Sequence, residues 1–439
     1  MILNGSILRS LLMLSFPTLM MSLIQALLPL SDGLFINNAA GTLVASAVTF
    51  SEPVVGMSLA LAQGISVAAM AIIGQTNGSG DFVRVKHIAA QIIVFGFALG
   101  ICVAPMLALI AVPISGNVDP EISHNVFLYI SLYAFVVPFS FLESIYNAIK
   151  NSTGKPEATF VRMALMLVLK IIFNIIFIVQ MKMGVLGCVL ASFCANAIIC
   201  VWMFYELFVM KGEDKLSLKG YRTDKALIKQ TVRVGIPAML TSLILNLGFF
   251  LINNETQKYG AVVLNGQGIA SNITSVCFNL PAAFSAAVTT MVSINIGANQ
   301  PEKAKQACYI GCVAAAVTAV AVIALIVPLS SHLTVLFTQR QDVLEIANRA
   351  LHIYTYSVVG FGVCMAIQGA FIGLGRTRVP MVLGILRIWL LRYIFICLTE
   401  HALLYYSVFW GNLFSNYAAA VIAIILISRI RWVSALRYS

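Results

Sequence analysis

Charge is what this chain has least of: Asp, Glu, Lys and Arg together make up only 10% of its 439 residues. A soluble domain normally carries about a quarter of its residues as charged side chains. Hydrophobic residues make up 60% of the chain, and the mean hydropathy is +0.95. The shortage of charge therefore excludes a soluble globular protein and predicts an all-α integral membrane protein.

The patterns of the common catalytic and metal sites are also missing. The nine cysteines lie almost entirely in apolar runs and show no C-x-x-C or Cys/His metal spacing, so we interpret them as packing residues. The five histidines are scattered, and NGSG at 77–80 lacks the Lys-Ser/Thr that a P-loop requires. We therefore expect no enzyme activity, no bound metal and no organic cofactor.

Long apolar runs are abundant instead. A helix needs about 20 predominantly apolar residues to cross a bilayer. The first run begins too late and is too long for a cleaved signal peptide, so we interpret it as a spanning helix. We predict twelve transmembrane helices, at 11–37, 52–73, 88–113, 125–149, 160–181, 185–210, 232–254, 266–295, 307–329, 350–373, 380–399 and 404–428.

The basic residues predict the orientation of these helices. If the N-terminus is cytoplasmic, about 20 of the 27 Lys and Arg lie in cytoplasmic connections and termini, and only Lys182, Lys258, Arg340 and Arg349 lie outside. By the positive-inside rule both termini are cytoplasmic, in a bacterial inner membrane. The net charge of +11 is then a topology signal, and we expect no binding to nucleic acid.

A polar stretch at 211–230 divides the chain into two similar halves. FPTLMMSLIQ at 16–25 resembles IPAMLTSLIL at 236–245, which begins 220 residues later. Because each half has six spans, both halves start on the same side of the membrane. This predicts two lobes related by a pseudo-twofold axis along the membrane normal, as in many secondary transporters. The predicted parts are an N-terminal six-helix lobe at 1–213, a cytoplasmic linker at 214–230 and a C-terminal six-helix lobe at 231–439.

Several motifs are similar to those of one transporter family. They are Pro17 fifteen residues before Asp32, the sequence GQTNGSGD at 74–81 with its partner at 297–303, and the turn glycines Gly154 and Gly375 after spans 4 and 10. In these motifs and in its twelve-span plan the sequence resembles the multidrug and toxic compound extrusion (MATE) family. The resemblance implies an exporter of bulky, often cationic compounds that is driven by inward flow of H⁺ or Na⁺ and alternates between outward- and inward-facing states.

Within that family the sequence resembles the DinF-like branch, whose coupling carboxylate lies in span 1 and whose polar partners lie in spans 5 and 6. By that resemblance Asp32 is the coupling carboxylate, Asn174 is its neighbour, and Ser192 stands where the family more often has threonine. Ile178 occupies a position where this branch often carries a second aspartate, which favours H⁺ over Na⁺ as the coupling ion. Span 10 contains no acidic residue, unlike in another branch of the family.

The depths of the polar residues indicate the same place. At 1.5 Å per residue, five of them lie within roughly 10–17 Å of the outer face: Asp32, Tyr133, Asn174, Ser192 and Asn196. An aspartate at the bilayer centre costs roughly 2.5–3.5 kcal/mol, so a carboxylate there normally has a function. We therefore predict one cation or proton site. The alternatives are a carboxylate that reaches interfacial water, helix–helix hydrogen bonds for the amides and the serine, and a packed ring for the tyrosine.

Coupling requires that Asp32 behaves differently in its two protonation states. Protonated, it donates a hydrogen bond to a neighbour such as Asn174; ionised, it attracts a cationic substrate, so proton and drug favour different helix arrangements. Pro17 and Pro29 each remove a backbone hydrogen bond and are predicted hinges of span 1, the alternative being a static kink. Lys170, one turn before Asn174, is predicted to tune the site; the alternative is a lipid-facing side chain that snorkels.

Four other charged residues and three rival functions complete the prediction. We interpret Glu143, Arg387 and Arg392 as packing charges and Glu255 as a solvated carboxylate at the start of an outer loop. The rivals are a Na⁺-coupled exporter, a flippase for lipid-linked oligosaccharides with a related fold, and a channel, whose pore would normally need a symmetric assembly. The expected partners are small-molecule drugs or toxic organic cations and the lipid bilayer, and a monomer suffices for this plan.

Overall fold

Helices make up all the regular secondary structure of the described residues. A computed structural model describes residues 7–78, 81–153, 155–210, 215–218, 221–376 and 378–432. The α-helices are α1 (Ile7–Phe35), α2 (Thr42–Gly78), α3 (Phe82–Ser115), α4 (Pro120–Tyr133), α5 (Val137–Ser152), α6 (Pro156–Asn174), α7 (Gly184–Phe204), α8 (Lys225–Gln257), α9 (Ala261–Ala282), α10 (Phe284–Gly297), α11 (Pro301–Val335), α12 (Gln341–Tyr356), α13 (Val358–Gly373), α14 (Arg378–Ile385), α15 (Ile394–Leu403) and α16 (Tyr406–Ser428). Four π-helical segments, whose turns are wider than α-turns, lie at Ile36–Ala40, Ile175–Gln180, Tyr205–Val209 and Leu386–Tyr393.

The described helices form up to twelve membrane spans. Ten helical runs are long and apolar enough to cross a membrane, and two bent pairs raise the number to twelve if each pair is one span. The pairs are α4 with α5, bent by 53°, and α12 with α13, bent by 41°. The all-α membrane fold predicted from composition is therefore confirmed. Spans 4 and 10, predicted as continuous helices at 125–149 and 350–373, are each broken instead.

The break between α4 and α5 follows from the position of one proline. Pro138 lies at the first positions of α5, where its missing N–H is one that a helix start leaves unpaired anyway. The same ring cannot continue a helix from α4, because it has no N–H to donate to the preceding turn. The backbone N–H of Val136 instead donates to the carbonyl of Tyr133 at 2.8 Å, which closes a tight turn.

Helix α8 starts seven residues before the predicted span, because a capping residue lies further back in the sequence. A carboxylate oxygen of Asp224 accepts a hydrogen bond from the backbone N–H of Leu227 at 3.0 Å. The side chain of Gln91 in α3 bonds the same stretch twice, donating to the carbonyl of Arg222 and accepting from the N–H of Asp224. The C-terminal part of the predicted linker at 214–230 is therefore anchored to α3 and then helical.

The described helices form two compact units. The middle unit comprises Phe35–Ala261 and contains α2 to α8. The terminal unit comprises the described residues up to Leu34 together with those from Val262 onward, and so contains most of α1 and the helices after α8. These bounds place span 1 with the second half of the chain and span 7 with the first. The division into lobes at 1–213 and 231–439 stays a prediction about the sequence repeat.

In the middle unit, two glycines bring the backbones of α2 and α8 together. A Cβ atom added to Gly64 would lie 2.8 Å from the carbonyl oxygen of Gly235, and one added to Gly235 would lie 2.7 Å from the carbonyl oxygen of Gly64. Small residues at such crossings allow the close packing that holds helices together in a membrane. Any larger residue at either position would push the two backbones apart.

We expect Gly64→Ala to destabilise the protein and Gly74→Ala, in the same helix, to leave it unchanged or slightly more stable. A Cβ at Gly74 meets only the Cβ of Ser152 at 3.8 Å, an ordinary contact. Overpacking costs about 1–3 kcal/mol, whereas alanine in place of a helical glycine gains roughly 0.5–1 kcal/mol. Thermal unfolding of both purified variants in the same detergent checks this, and equal midpoints would contradict the close approach at Gly64.

One of the two glycine turns predicted after spans 4 and 10 lies within the described residues. Gly375 has φ +78, a conformation that favours glycine. The N–H of Arg376 donates to the carbonyl of Phe371, and the N–H of Gly375 donates to that of Ile372, so this turn satisfies the last carbonyls of α13. The turn at Gly375 is therefore confirmed, and Gly154 lies outside the described residues.

Candidate functional site

Asp32 lies in the last turn of α1, in the terminal unit, and is half-buried. The next residue packs tightly: a Cβ atom added to Gly33 would lie 2.4 Å from Nδ2 of Asn272 in α9. It would also lie 3.3 Å from the ring of Phe337. The carboxylate therefore lies on a part of α1 that packs closely against the amide side chain of Asn272.

An apolar cavity of about 260 Å³ adjoins the same part of α1 within the terminal unit. Leu30 and Leu34 of α1 line it together with apolar residues of α9 and α11. Pro29 precedes these residues in a helix that runs on to Phe35. Pro17 lies in the helical part of α1, and its side chain is outside the described part of the structure. The hinge role of both prolines stays a prediction.

Two of the π-helical segments begin close to predicted site residues. The segment Ile36–Ala40 starts four residues after Asp32, and the segment Ile175–Gln180 starts directly after Asn174. Fewer than about 1% of residues in proteins are π-helical, and such turns occur frequently at functional sites. The widened turns therefore mark the same two places that the sequence singled out. No sequence pattern predicted them.

The polar residues predicted in the N-terminal half are buried in the middle unit. Asn174 is 1% exposed, and Ser192 and Asn196 are buried on one face of α7. The Nδ2 atom of Asn196 donates to the carbonyl of Ser192 at 2.7 Å, as expected for residues one turn apart. Tyr133, at the end of α4, packs its ring against that of Tyr129, with 5.5 Å between the centroids.

An apolar cluster connects the helices that carry these residues. Its members include Ile178, which lies one turn after Asn174, and Cys188, which lies one turn before Ser192, and Tyr133 packs against it. Ile36 of the first π-helical segment belongs to the same cluster. Tyr133 therefore packs against this region of the middle unit, and Asn174 and Ser192 each lie one turn from a member of it. Asp32 belongs to the terminal unit, and its role beside these residues stays a prediction.

A buried ion pair lies in the same unit, and sequence reasoning found only one of its members. Nη1 of Arg162 lies 2.8 Å from Oε2 of Glu143, and Nε of Arg162 donates to Oδ1 of Asn147 at 2.9 Å. Arg162 is only 5% exposed. Arg162 is one of the basic residues counted above with the cytoplasmic connections, and the structure places it inside α6, which begins at Pro156. Lys170, further along α6, interacts electrostatically with Glu143.

A second buried pair lies about two helical turns further along α5. Nζ of Lys150 lies 2.7 Å from Oε1 of Glu206, and the hydroxyl of Tyr146 donates to Oε2 of the same carboxylate at 2.6 Å. Lys150, also counted with the cytoplasmic connections, lies in the last turn of α5 and is only 3% exposed. The spacing of Glu143, Tyr146, Asn147 and Lys150 places them on one face of α5, a signal that the sequence did contain.

The remaining charged residues have structural contacts. Nη1 of Arg387 donates to Oδ1 of Asn416 at 3.0 Å, and the guanidinium lies 4.8 Å from the ring centroid of Phe361. The guanidinium of Arg392 lies 5.8 Å from the ring centroid of Tyr354. Glu255 lies inside α8, not in the loop after it, because α8 runs to Gln257, and it pairs with Lys258.

Among the described residues, no group of three or more His, Cys, Asp or Glu side chains is arranged to hold a metal ion. All nine cysteines are free thiols, and most of them are buried. Packing is the role that these positions support. The described residues instead include a set of buried polar and ionisable groups.

Comparisons with known proteins indicate the family of the chain. The MatE family model matches residues 17–176 and again residues 237–398, well over half of the chain. The chain is 24% identical over 395 residues to the probable multidrug resistance protein YoeA of Bacillus subtilis (88% of this chain, 85% of that protein). It is 24% identical over 447 residues to the multidrug resistance protein MdtK of Yersinia pseudotuberculosis (97% and 95%).

The fold has been seen before in solved structures. It matches the inward-facing conformation of a multidrug resistance MATE family transporter of the MOP superfamily with a TM-score of 0.83. The two sequences are 21% identical, and the match covers 92% of this chain and 93% of that one. The predictions of a MATE-like fold and of a transporter, not an enzyme, are confirmed. The chain therefore belongs to the MATE family of multidrug export transporters.

Proposed function

We propose that this MATE transporter exports bulky, often cationic compounds in exchange for protons, with Asp32 as the coupling carboxylate, as in the DinF-like branch. The observation that carries the proposal is the position of Asp32. It is a half-buried acid in an apolar helix, four residues before a π-helical segment and beside a tightly packed glycine. An acid is costly in such a place unless it is used.

The substrate class rests on the relatives. The printed names of YoeA, MdtK and the Staphylococcus aureus protein MepA describe multidrug resistance or multidrug export. An ionised carboxylate attracts organic cations, so a site with a single acid favours cationic substrates. Adaptable walls of apolar side chains, such as Leu30 and Leu34 beside the α1 cavity, suit ligands of varied shape.

The choice of the proton rests on what surrounds the predicted partners. Hard cations need several oxygen ligands, and Ile178 provides none at the position where a second carboxylate would stand. This residue is fully buried in the apolar cluster next to Asn174. A proton needs only one carboxylate. Na⁺ as the coupling ion is the alternative.

In the proposed cycle the two protonation states of Asp32 favour different arrangements of α1. Protonation from outside removes the attraction for a bound cation and releases it, and loss of the proton to the cytoplasm restores the binding state. Both termini are cytoplasmic in this scheme, and one chain is sufficient. Hydrogen-bonding partners during the cycle come from Asn174, Ser192, Asn196 and Tyr133. The charge of Lys170 adjusts the electrostatic field at these residues.

Purified protein in liposomes tests the coupling ion. We expect an imposed pH gradient in Na⁺-free buffer to drive accumulation of ethidium above its equilibrium level. An imposed Na⁺ gradient at equal pH on both sides should not do so, and collapsing the pH gradient with nigericin should abolish accumulation. Accumulation driven by Na⁺ alone would keep the family but overturn the proton assignment.

A further inference from the structure

A second cavity, of about 400 Å³, lies within the middle unit and away from the predicted coupling residues. It is lined by the end of α2, the start of α3, the end of α5 and the π-helical segment at 205–209, together with Lys155 and Leu216 from the connections. These are ends and starts of successive spans that all lie on one side of the membrane. It is the side on which the sequence concentrates its Lys and Arg.

Positive charge dominates the wall of this cavity. Of the described lining residues three are lysines, Lys86, Lys150 and Lys155, and none is acidic. Lys150 is buried and shares its charge with Glu206, whereas Lys86 is half-buried and Lys155 is exposed at the rim. A cavity with this lining attracts an anion.

Neutral polar groups complete the polar part of the lining. Thr153 follows α5 with its hydroxyl donating to the carbonyl of Ile149 at 2.9 Å, so the oxygen remains able to accept. Asn77, at the end of α2, donates to the carbonyl of Ser152 at 3.2 Å, and its carbonyl oxygen is the remaining polar atom of that side chain. Hydroxyl groups of a ligand are suited to both acceptors.

The rest of the lining is apolar and includes an exposed side chain. Phe82 lines the cavity and is 65% exposed, and its neighbour Val83 is 82% exposed. Val161, near the start of α6, is also exposed. The cavity therefore has an exposed apolar edge, a few residues before the predicted span at 88–113.

We propose that this cavity binds the headgroup of an anionic phospholipid. The phosphate lies near Lys86 and Lys155, the hydroxyl groups of a glycerol headgroup face Thr153 and Asn77, and an acyl chain follows the exposed surface of Phe82. Basic pockets between transmembrane helices on the cytoplasmic side are known to take anionic headgroups. The site goes beyond drug export and does not depend on which ion drives it.

Native mass spectrometry of the full chain, purified in detergent, tests the proposal with two lipids of equal acyl chains. We expect dioleoylphosphatidylglycerol to bind at least about tenfold more tightly than dioleoylphosphatidylcholine. Lys86→Gln should weaken binding of the anionic lipid about fivefold, the share of one lysine near a membrane surface. Lys86→Arg should keep it. The matched control is Lys229→Gln, an exposed lysine of α8 that does not line the cavity and whose loss should change nothing.

Each other outcome overturns the proposal. Equal affinity for the two lipids would remove the selectivity for an anion, and equal losses in the two lysine-to-glutamine variants would show general surface attraction. Competition by millimolar inorganic phosphate or sn-glycerol 3-phosphate would assign the cavity to a soluble phosphate and not to a lipid. Gel filtration of Lys86→Gln and Lys229→Gln shows whether both remain folded, and retained binding in Lys86→Arg excludes a merely steric effect.

Discussion

Asp32→Asn is expected to abolish proton-driven accumulation of ethidium in liposomes while leaving the protein folded. A ligand that binds two states equally shifts no equilibrium, however tightly it binds. Asparagine cannot gain or lose a proton in the physiological range, so the proton loses its differential affinity and the pH gradient can no longer drive the cycle. The ratio of transport with the gradient to transport without it should fall from at least about tenfold to one.

Two further variants serve as controls for this result. Asp32→Glu keeps an ionisable carboxylate one methylene further out and should retain part of the proton-driven rate. Glu255→Gln makes the same change of charge at a carboxylate that lies in the last turn of α8 and pairs with Lys258, so it should transport normally. If Asp32→Asn still responded to the pH gradient, Asp32 would not be the coupling carboxylate, and Glu143 would become the next buried acid to test.

Composition and spacing predicted the membrane fold because both depend on local sequence. Long apolar runs must become helices in a bilayer, where each backbone N–H and C=O needs a partner within the span. The break before Val137 depends on one proline inside an apolar run, and mean hydropathy does not register it. Helix starts such as Lys225 were missed for a similar reason, because polar end turns continue a helix beyond its apolar part.

Sequence reasoning singles out a candidate site residue only where that residue is unusual by itself. Asp32 stands out because no other acid lies in the same apolar run, and the buried positions of Asn174, Ser192 and Asn196 follow from the pattern of their helices. The burial of Arg162 and Lys150 was not predicted, because a basic residue near the end of a span is normally solvated. Their acidic partners, Glu143 and Glu206, lie 19 and 56 positions away in the chain. Because only the fold brings each pair together, the ion pairs could not be predicted from local sequence.

The second large effect is expected at the buried pair of Arg162 and Glu143. Arg162→Leu leaves the carboxylate of Glu143 buried without its guanidinium, and breaking such a pair on one side costs about 3–5 kcal/mol. The electrostatic interaction of Glu143 with Lys170 offsets part of this loss, which puts the expected cost near the lower end of that range. Unfolding by SDS or heat in detergent measures it.

The control pair lies at the surface of the same chain. Nε of Arg340 donates to Oδ1 of Asp342 at 3.1 Å, and both side chains are about half exposed. The Asp342 carboxylate beside Arg340 holds the pKa of that guanidinium above its ordinary value. An exposed pair contributes only about 0–1 kcal/mol, so Arg340→Gln should change the unfolding midpoint little.

A double-mutant cycle separates an ion pair from the packing of its two side chains. Replacing Glu143 by Leu together with Arg162→Leu removes both charges, and a buried pair replaced by apolar residues of similar volume is often as stable as before. The double variant should therefore recover most of what Arg162→Leu loses, with a coupling energy of at least about 2 kcal/mol. For Arg340 and Asp342 the same cycle should give less than about 1 kcal/mol. Additive losses at Glu143 and Arg162 would mean that their packing, and not their charge, stabilises the interior of the middle unit.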